Sequence, residues 1–393
     1  MARVRMRPPT RTEATFAPPV MEARRWLDGL DFSERPLINV SQAAPVEPPH
    51  PDLRRAMAAA LEDTATHLYG PVLGLPGLRA ELAAQWSDSY GGTISAENVA
   101  ITSGCNQAFS AAIATLCSEG DEVILPVPYY FNHRMWLDMA GVRTVPLPCG
   151  PGLVPEAGDA AALITDRTRA IALVSPNNPT GAEYPDATLG AFYGLCRERG
   201  IALILDETYR DFHSSADAPH TLFERADWAE TFIHLYSFSK AYRLTGHRTG
   251  AIITSETRMA EVEKFLDTVS VCPSQLGQRA ALWGMQNLSH WLAEERDEIL
   301  SRRAAIETEF PRLAARGWDL LGAGAYFAYV RFPQAVRSDH FAQKLVRKAG
   351  ILCLPGTMFD MAGSGERDLR IAFANIDRTG IAELFDRLEA FEP

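Results

Sequence analysis

The sequence predicts an α/β protein whose larger part is built on a mostly parallel sheet, with a smaller α+β region completing the chain. Three observations lead there. Short apolar runs rich in Ile, Val and Leu recur between residues 99 and 236. Each closes on polar, Gly or Pro residues and is separated from the next by other patterns, some of them helical, as strands buried on both faces of a parallel sheet are. Past about residue 271 the pattern changes to long helical stretches mixed with isolated strand-like runs.

In chain order, residues 99–102 end at Ser103-Gly104 and give way to a helical stretch over 106–117. Residues 122–125 end at Pro126-Val127-Pro128, and 170–174 at Ser175-Pro176-Asn177-Asn178-Pro179. A helical pattern covers 186–199; residues 201–205 then end at Asp206, and 232–236 at Ser237. The later region predicts helices over 275–285 and 291–315, strand-like 325–331, a helix over 340–349, strands at 351–354 and 369–373, and a last helix over 379–391. The expected organisation is an N-terminal arm and small-domain segment over 1–50, a large domain over 51–285 and a small domain over 286–393. The polar motifs fall at the carboxyl ends of the apolar runs, the edge where open α/β sheets bind ligands.

Of 393 residues, 47% are hydrophobic and 22% charged, with a formal net charge of −11. That balance suits a globular chain and offers no broad cationic field for nucleic acid or an anionic membrane. No apolar run has the length of a bilayer span. The six cysteines form no CxxC pair, no zinc-ligand spacing is present and no metal site is expected. The start of the chain carries Arg3, Arg5, Arg7 and Arg11 with Pro8 and Pro9 but no signal-like apolar stretch. It reads as an arm that packs on a partner subunit or stays loose, in a cytoplasmic protein.

Three segments carry chemistry. Lys240, in Ser237-Phe238-Ser239-Lys240, follows an apolar strand. Desolvation there lowers an amine's pKa and frees it for Schiff-base chemistry. The same four residues fit S-x-x-K of serine acyl-transfer enzymes, but the companion S-D-N and K-T-G segments are missing. Asp206 ends another apolar run, where a carboxylate needs a cation or donors to be buried. Ser103-Gly104-Cys105-Asn106 opens a helix after a strand, an arrangement that receives an anion such as phosphate. No P-loop or G-x-G-x-x-G is present.

Together with Tyr69-Gly70, Gly74, Gly77-Leu78-Arg79, Asn177-Asn178-Pro179-Thr180-Gly181, Asp206-Glu207-Thr208-Tyr209, Arg248 and Leu369-Arg370-Ile371, these segments resemble the fold-type I pyridoxal 5'-phosphate (PLP) aminotransferases of class I/II over roughly residues 35–390. The resemblance implies a seven-stranded central sheet and a homodimer with the active site at the subunit interface. It implies transfer of an amino group from an L-amino acid to a 2-oxo acid, with PLP held as an aldimine on Lys240, which also moves the proton. Asp206 would pair with the pyridine nitrogen. Asn178 and Tyr209 would bond the ring's phenolic oxygen, and Tyr130 would stack on the ring, with Tyr129 its competitor. Gly104, Cys105, Asn106, Ser237 and Arg248 would hold the phosphate, and Tyr69 would reach that of the neighbouring subunit. Arg370 would clamp the substrate α-carboxylate.

Two departures stand out. Ala43 occupies a position where many relatives have a Gly that helps bind substrate, and Cys105 and Asn106 are unusual in the phosphate loop. Cys105 is either a small packing residue or a reactive thiol at a helix start. Tyr129, Tyr130, His133 and Tyr326 are candidates for an aromatic-tolerant substrate pocket. The alternative function is a PLP β-lyase of the same fold acting on cysteine conjugates, which shares every residue named. A DNA-binding regulator is disfavoured by the acidic charge and the short segment ahead of the motifs.

Overall fold

The computed structural model describes residues 9–360, 363 and 365–392. Arg3, Arg5 and Arg7 of the basic arm lie outside the described residues. Arg11 lies on its own chain, where it pairs with Glu119 at 2.5 Å and donates to the Ala140 carbonyl.

A short strand, β1 (Ile38–Asn39), precedes the large sheet. That sheet contains β2 (Val99–Thr102), β3 (Glu122–Val127), β4 (Arg143–Pro148), β5 (Thr168–Val174), β6 (Ala202–Asp206), β7 (Phe232–Ser237) and β8 (Gly250–Ile253). The strand order is β2-β8-β7-β6-β5-β3-β4. Every pairing is parallel except the two that β8 makes with β2 and β7. Alternating side chains separate the two cores. Ile101, Ile124, Leu203 and Leu205 pack on one face with helices Pro76–Tyr90, Asp186–Arg199 and Gln275–Asn287. Ala100, Val123, Leu125 and Ile204 pack on the other with helix Cys105–Leu116.

The small domain has an antiparallel sheet of β9 (Asp319–Gly324), β10 (Phe327–Arg331), β12 (Leu354–Pro355) and β13 (Asp368–Ile371) in the order β12-β13-β10-β9. Between them β11 (Ile351–Leu352) pairs in parallel with β1, so the N-terminal segment joins this domain. Helices Ser289–Glu309, Ser338–Ala349 and Arg378–Glu389 supply Ile299, Ile306, Phe341, Leu345 and Leu384 to its core.

Several boundaries differ from the sequence expectation. The helix expected over 291–315 stops at Glu309, and a second short helix starts at Pro311, since Pro cannot continue the ladder of hydrogen bonds. The run 351–354 divides at Cys353 between two sheets. β4, β8 and β9 escaped the sequence reading. β4 contains Pro146 and Pro148 and pairs only with β3, the edge position where Pro is tolerated. β8 opens on Gly250 and has only Ala251, Ile252 and Ile253 as its apolar run.

β8 also explains a glycine. A Cβ on Gly250 would lie 2.6 Å from Cys105 N and from Gly104 C. We expect Gly250→Ala to destabilise the fold by about 1–3 kcal/mol and to weaken anion binding at the start of helix Cys105–Leu116. Thermal unfolding and phosphate protection measure the two effects; unchanged values for both would show that the loop yields freely.

Candidate functional site

The carboxyl ends of the parallel strands form one edge, and a cavity of about 510 Å³ opens there between the domains. β8 runs the opposite way, so its first residue lies at that edge. Gly250 is in register with Thr102 on one side and Ser237 on the other. The reversal brings Arg248, just ahead of β8, beside Gly104. Gly104 has φ +84° and ends β2's turn into helix Cys105–Leu116. Arg248 Nη2 stands where a Gly104 Cβ would project. The first N–H groups of that helix have no acceptor inside it. Ser237, also on the cavity wall, caps the short turn that carries Lys240.

Lys240 Nζ donates to the Ala43 carbonyl at 2.6 Å and lies 5.9 Å from the Tyr209 ring centroid. Burial, with Arg248 and Arg370 adding repulsion, lowers its pKa to about 8. Asp206, the last residue of β6, is buried. Its Oδ1 accepts from the Thr208 N–H at 2.9 Å, and Oδ2 is 3.2 Å from His133 Nε2. Burial alone would raise its pKa, but His133 and Thr208 outweigh that and hold it below the usual carboxylate range. Arg370, on β13, donates from Nη1 to Asn178 Oδ1 at 2.9 Å and from Nη2 to the Ser41 carbonyl. Its guanidinium lies 5.0 Å from the Phe359 ring and 5.2 Å from that of Phe327. Burial lowers its pKa to about 10.

The cavity wall includes Ala43, Cys105, Asn106, Tyr130, Asn178, Asp206, Tyr209, Ser237, Lys240, Arg248 and Arg370, with Gly104 directly behind Arg248. Tyr69 is elsewhere, 85% exposed on this chain's own surface. Of the two tyrosines, Tyr130 lines the cavity and its hydroxyl approaches Asn106 Oδ1 at 3.4 Å. Tyr129 is buried and its N–H bonds the Phe359 carbonyl. An aromatic pocket of Tyr129, Tyr130, His133 and Tyr326 does not form. His133 is buried, stacked on Phe109 at 3.8 Å, and Tyr326 packs on Tyr209 and Phe212. The reactive-thiol reading of Cys105 fails too, because burial and the nearby Asp206 push its pKa well up and keep the thiol protonated.

Thr208, Ser239 and Thr245 also line the cavity, although no role was assigned to them from the sequence; His133, expected in an aromatic pocket, is instead buried beside Asp206. For His133 a signal existed in its helical spacing: it stands three residues after Tyr130, one turn along helix Phe131–Ala140.

A sequence profile of class I and II aminotransferases matches residues 35–388. The chain belongs to this family. It is a PLP-dependent transaminase of the aspartate aminotransferase-like fold. An aromatic aminotransferase of Arabidopsis thaliana is 29% identical over 80% of this chain and 82% of its own length. An arginine–pyruvate transaminase of Pseudomonas aeruginosa is 32% identical over 76% of each chain. The aspartate aminotransferase of Thermus thermophilus with maleate superposes with a TM-score of 0.88 at 24% identity, covering 98% of this chain and 99% of that one. That last likeness is one of fold. These relatives are transaminases, which does not favour the β-lyase alternative.

The donor set fits the cofactor. Gly104 and Gly250 leave a cradle that a Cβ would fill, beside a guanidinium and free helix N–H groups. A depressed lysine and an ionised, buried carboxylate stand on the same wall. Because the neutral amine is the nucleophile, we expect apo-protein and PLP to form a borohydride-reducible adduct at a rate that rises with pH around a midpoint near 8, the pKa to which burial lowers Lys240. A midpoint near 10.5 would mean an unperturbed amine, and Lys240→Ala should form no such adduct at this site.

Proposed function

We propose that each ionised group of the aminotransferase cavity has a separate task. Gly104, Cys105, Asn106, Ser237 and Arg248 hold the cofactor phosphate. Asp206 pairs with the pyridine nitrogen, supported by His133 and Thr208. Asn178 and Tyr209 bond the phenolic oxygen, and Tyr130 covers the ring. Arg370 holds the substrate α-carboxylate through a two-pronged pair, with Asn178 and the Ala43 backbone beside it. Lys240 attaches the cofactor and afterwards moves the proton from the substrate Cα. Bound PLP supplies an electron sink for the pair left at Cα.

The observation that carries this reading is the depressed amine of Lys240 on the same wall as the ionised carboxylate of Asp206. An amine with a pKa of about 8 can accept and return a proton near neutral pH, which is what general acid–base catalysis requires. The Asp206 carboxylate keeps a bound pyridinium protonated. Arg370, braced by Asn178 and Ser41, fixes the carboxylate end of the substrate, so the Cα proton and not the carboxyl group is presented for removal.

The assembly we infer is a homodimer in which Tyr69 reaches the phosphate of the neighbouring site. Leu68 and Tyr69 are 61% and 85% exposed, and Val269 and Val271 add exposed apolar surface. The two segments adjoin, with the Gly70 N–H donating to Cys272 Sγ, and neighbouring exposed apolar side chains suit an interface. A cytoplasmic location suits the six cysteines, all free.

We expect Asp206→Asn to retain bound PLP but lose at least about a hundredfold in turnover, the scale of a removed acid–base or electrostatic partner. The measurement is transfer of a labelled amino group from an amino acid to a set of 2-oxo acids. Turnover near that of the unmodified enzyme would remove Asp206 from its role. Light scattering should give twice the chain mass, and a monomer with full activity would sink the shared site.

A further inference from the structure

The cavity carries a fourth cation that none of the assignments above uses. Arg24 lines it from helix Pro19–Arg25. The rotation of that helix is fixed by Ala23, which is fully buried among Phe131, Leu352 and Leu354. Val20 and Met21, one helical turn before Arg24, then face the cavity with it. Pro18 and Phe131 continue the same apolar wall.

Arg24 is exposed at the cavity mouth, and its Nη2 donates to Gln42 Oε1 at 2.6 Å. Gln42 is neutral and neighbours Ala43, whose carbonyl receives Lys240. Its own carbonyl is held by Asn375 Nδ2 at 2.5 Å. Among the described residues no carboxylate lies within ion-pair distance of Arg24. Arg25, the next residue, differs in having a carboxylate partner, Glu22 at 2.8 Å.

On the reading above, Arg248 takes the phosphate and Arg370 the α-carboxylate. A substrate with one carboxylate leaves Arg24 paired only with a neutral amide. A substrate with a second carboxylate at the end of its side chain would satisfy it, its methylenes lying along Val20, Met21 and Phe131. We propose that Arg24 recognises the side-chain carboxylate of an acidic amino acid and of the matching 2-oxo diacid. The chain is then a transaminase for dicarboxylates whose distal anion is read by its own N-terminal helix. The proposal rests on the assignment of Arg370 to the α-carboxylate.

L-Glutamate and L-glutamine differ at the distal group by charge with almost no change of shape, so the ratio of their kcat/KM values reads Arg24 directly. The holoenzyme should favour glutamate. In Arg24→Gln the ratio should fall about tenfold or more, a scale set by one charge-assisted bond partly screened by solvent. Arg24→Glu should lower it further. Raising the ionic strength should erode the preference of the unmodified enzyme and leave the ratio of Arg24→Gln flat. The cofactor absorbance of both variants should match that of the unmodified enzyme. A ratio unchanged in both variants, or an unmodified enzyme that fails to use glutamate, overturns the proposal. Arg370→Lys separates the two levels: it should depress both donors together. If it leaves both intact, the α-carboxylate assignment falls, whereas an unchanged ratio in the Arg24 variants refutes only the distal one.

Discussion

The repulsion among Lys240, Arg248 and Arg370 is the constraint on which the rest of the site depends. All three line one cavity, and both arginines contribute to the lowered pKa of Lys240. Cations brought together out of water resist folding unless something offsets them. Asp206 supplies one negative charge on the same wall. The remaining excess suits a phosphate and a carboxylate, and a ligand that neutralises it binds the folded state preferentially. The amine of Lys240 is depressed first by burial, and the same charge excess adds to that shift.

Rigid elements hold this excess in place. Lys240 and Asp206 stand at the ends of strands in the large sheet, and Arg370 comes from the sheet of the small domain. Hydrogen bonds cross between them at the cavity itself. Lys240 reaches the Ala43 carbonyl, and Arg370 reaches Asn178 and the Ser41 carbonyl. The segment of residues 41–43 is tied to small-domain residues through Asn375, while β1 just before it pairs with β11. Relative movement of the domains would change the distance between Lys240 and Arg370, so the geometry of the cavity and the position of the domains are coupled through these bonds.

Behind the cavity the alternation of a strand end separates two acids. Asp206 faces the cavity, and Glu207, the next residue, enters the core on the opposite side. There it accepts from the Tyr90 hydroxyl and lies 2.8 Å from His234 Nε2 and 3.4 Å from His220 Nε2. Arg210 stacks over Trp86 and Tyr90 beside it. This fully enclosed polar cluster anchors the turn that follows β6, and with it the Asp206 carboxylate.

By itself the sequence determined the class of fold, the family and the residues that end buried strands. Polar groups such as Asp206 and Ser237 stand out there because everything before them is apolar, and the rule that ligands gather at the carboxyl edge needs no contacts to apply. It did not determine which neighbours those residues meet. β8 is too short to announce its reversed direction, yet that direction puts Arg248 beside Gly104. Tyr129 and Tyr130 differ by one position, and only the packing of helix Phe131–Ala140 decided that Tyr130 enters the cavity and that His133 turns to Asp206. Arg24 reads as an ordinary helix arginine until the burial of Ala23 fixes which face meets the site. The physical reason is common to all three: periodicity records which side of an element is apolar, whereas the partner across the gap is chosen by tertiary packing between residues far apart in the chain.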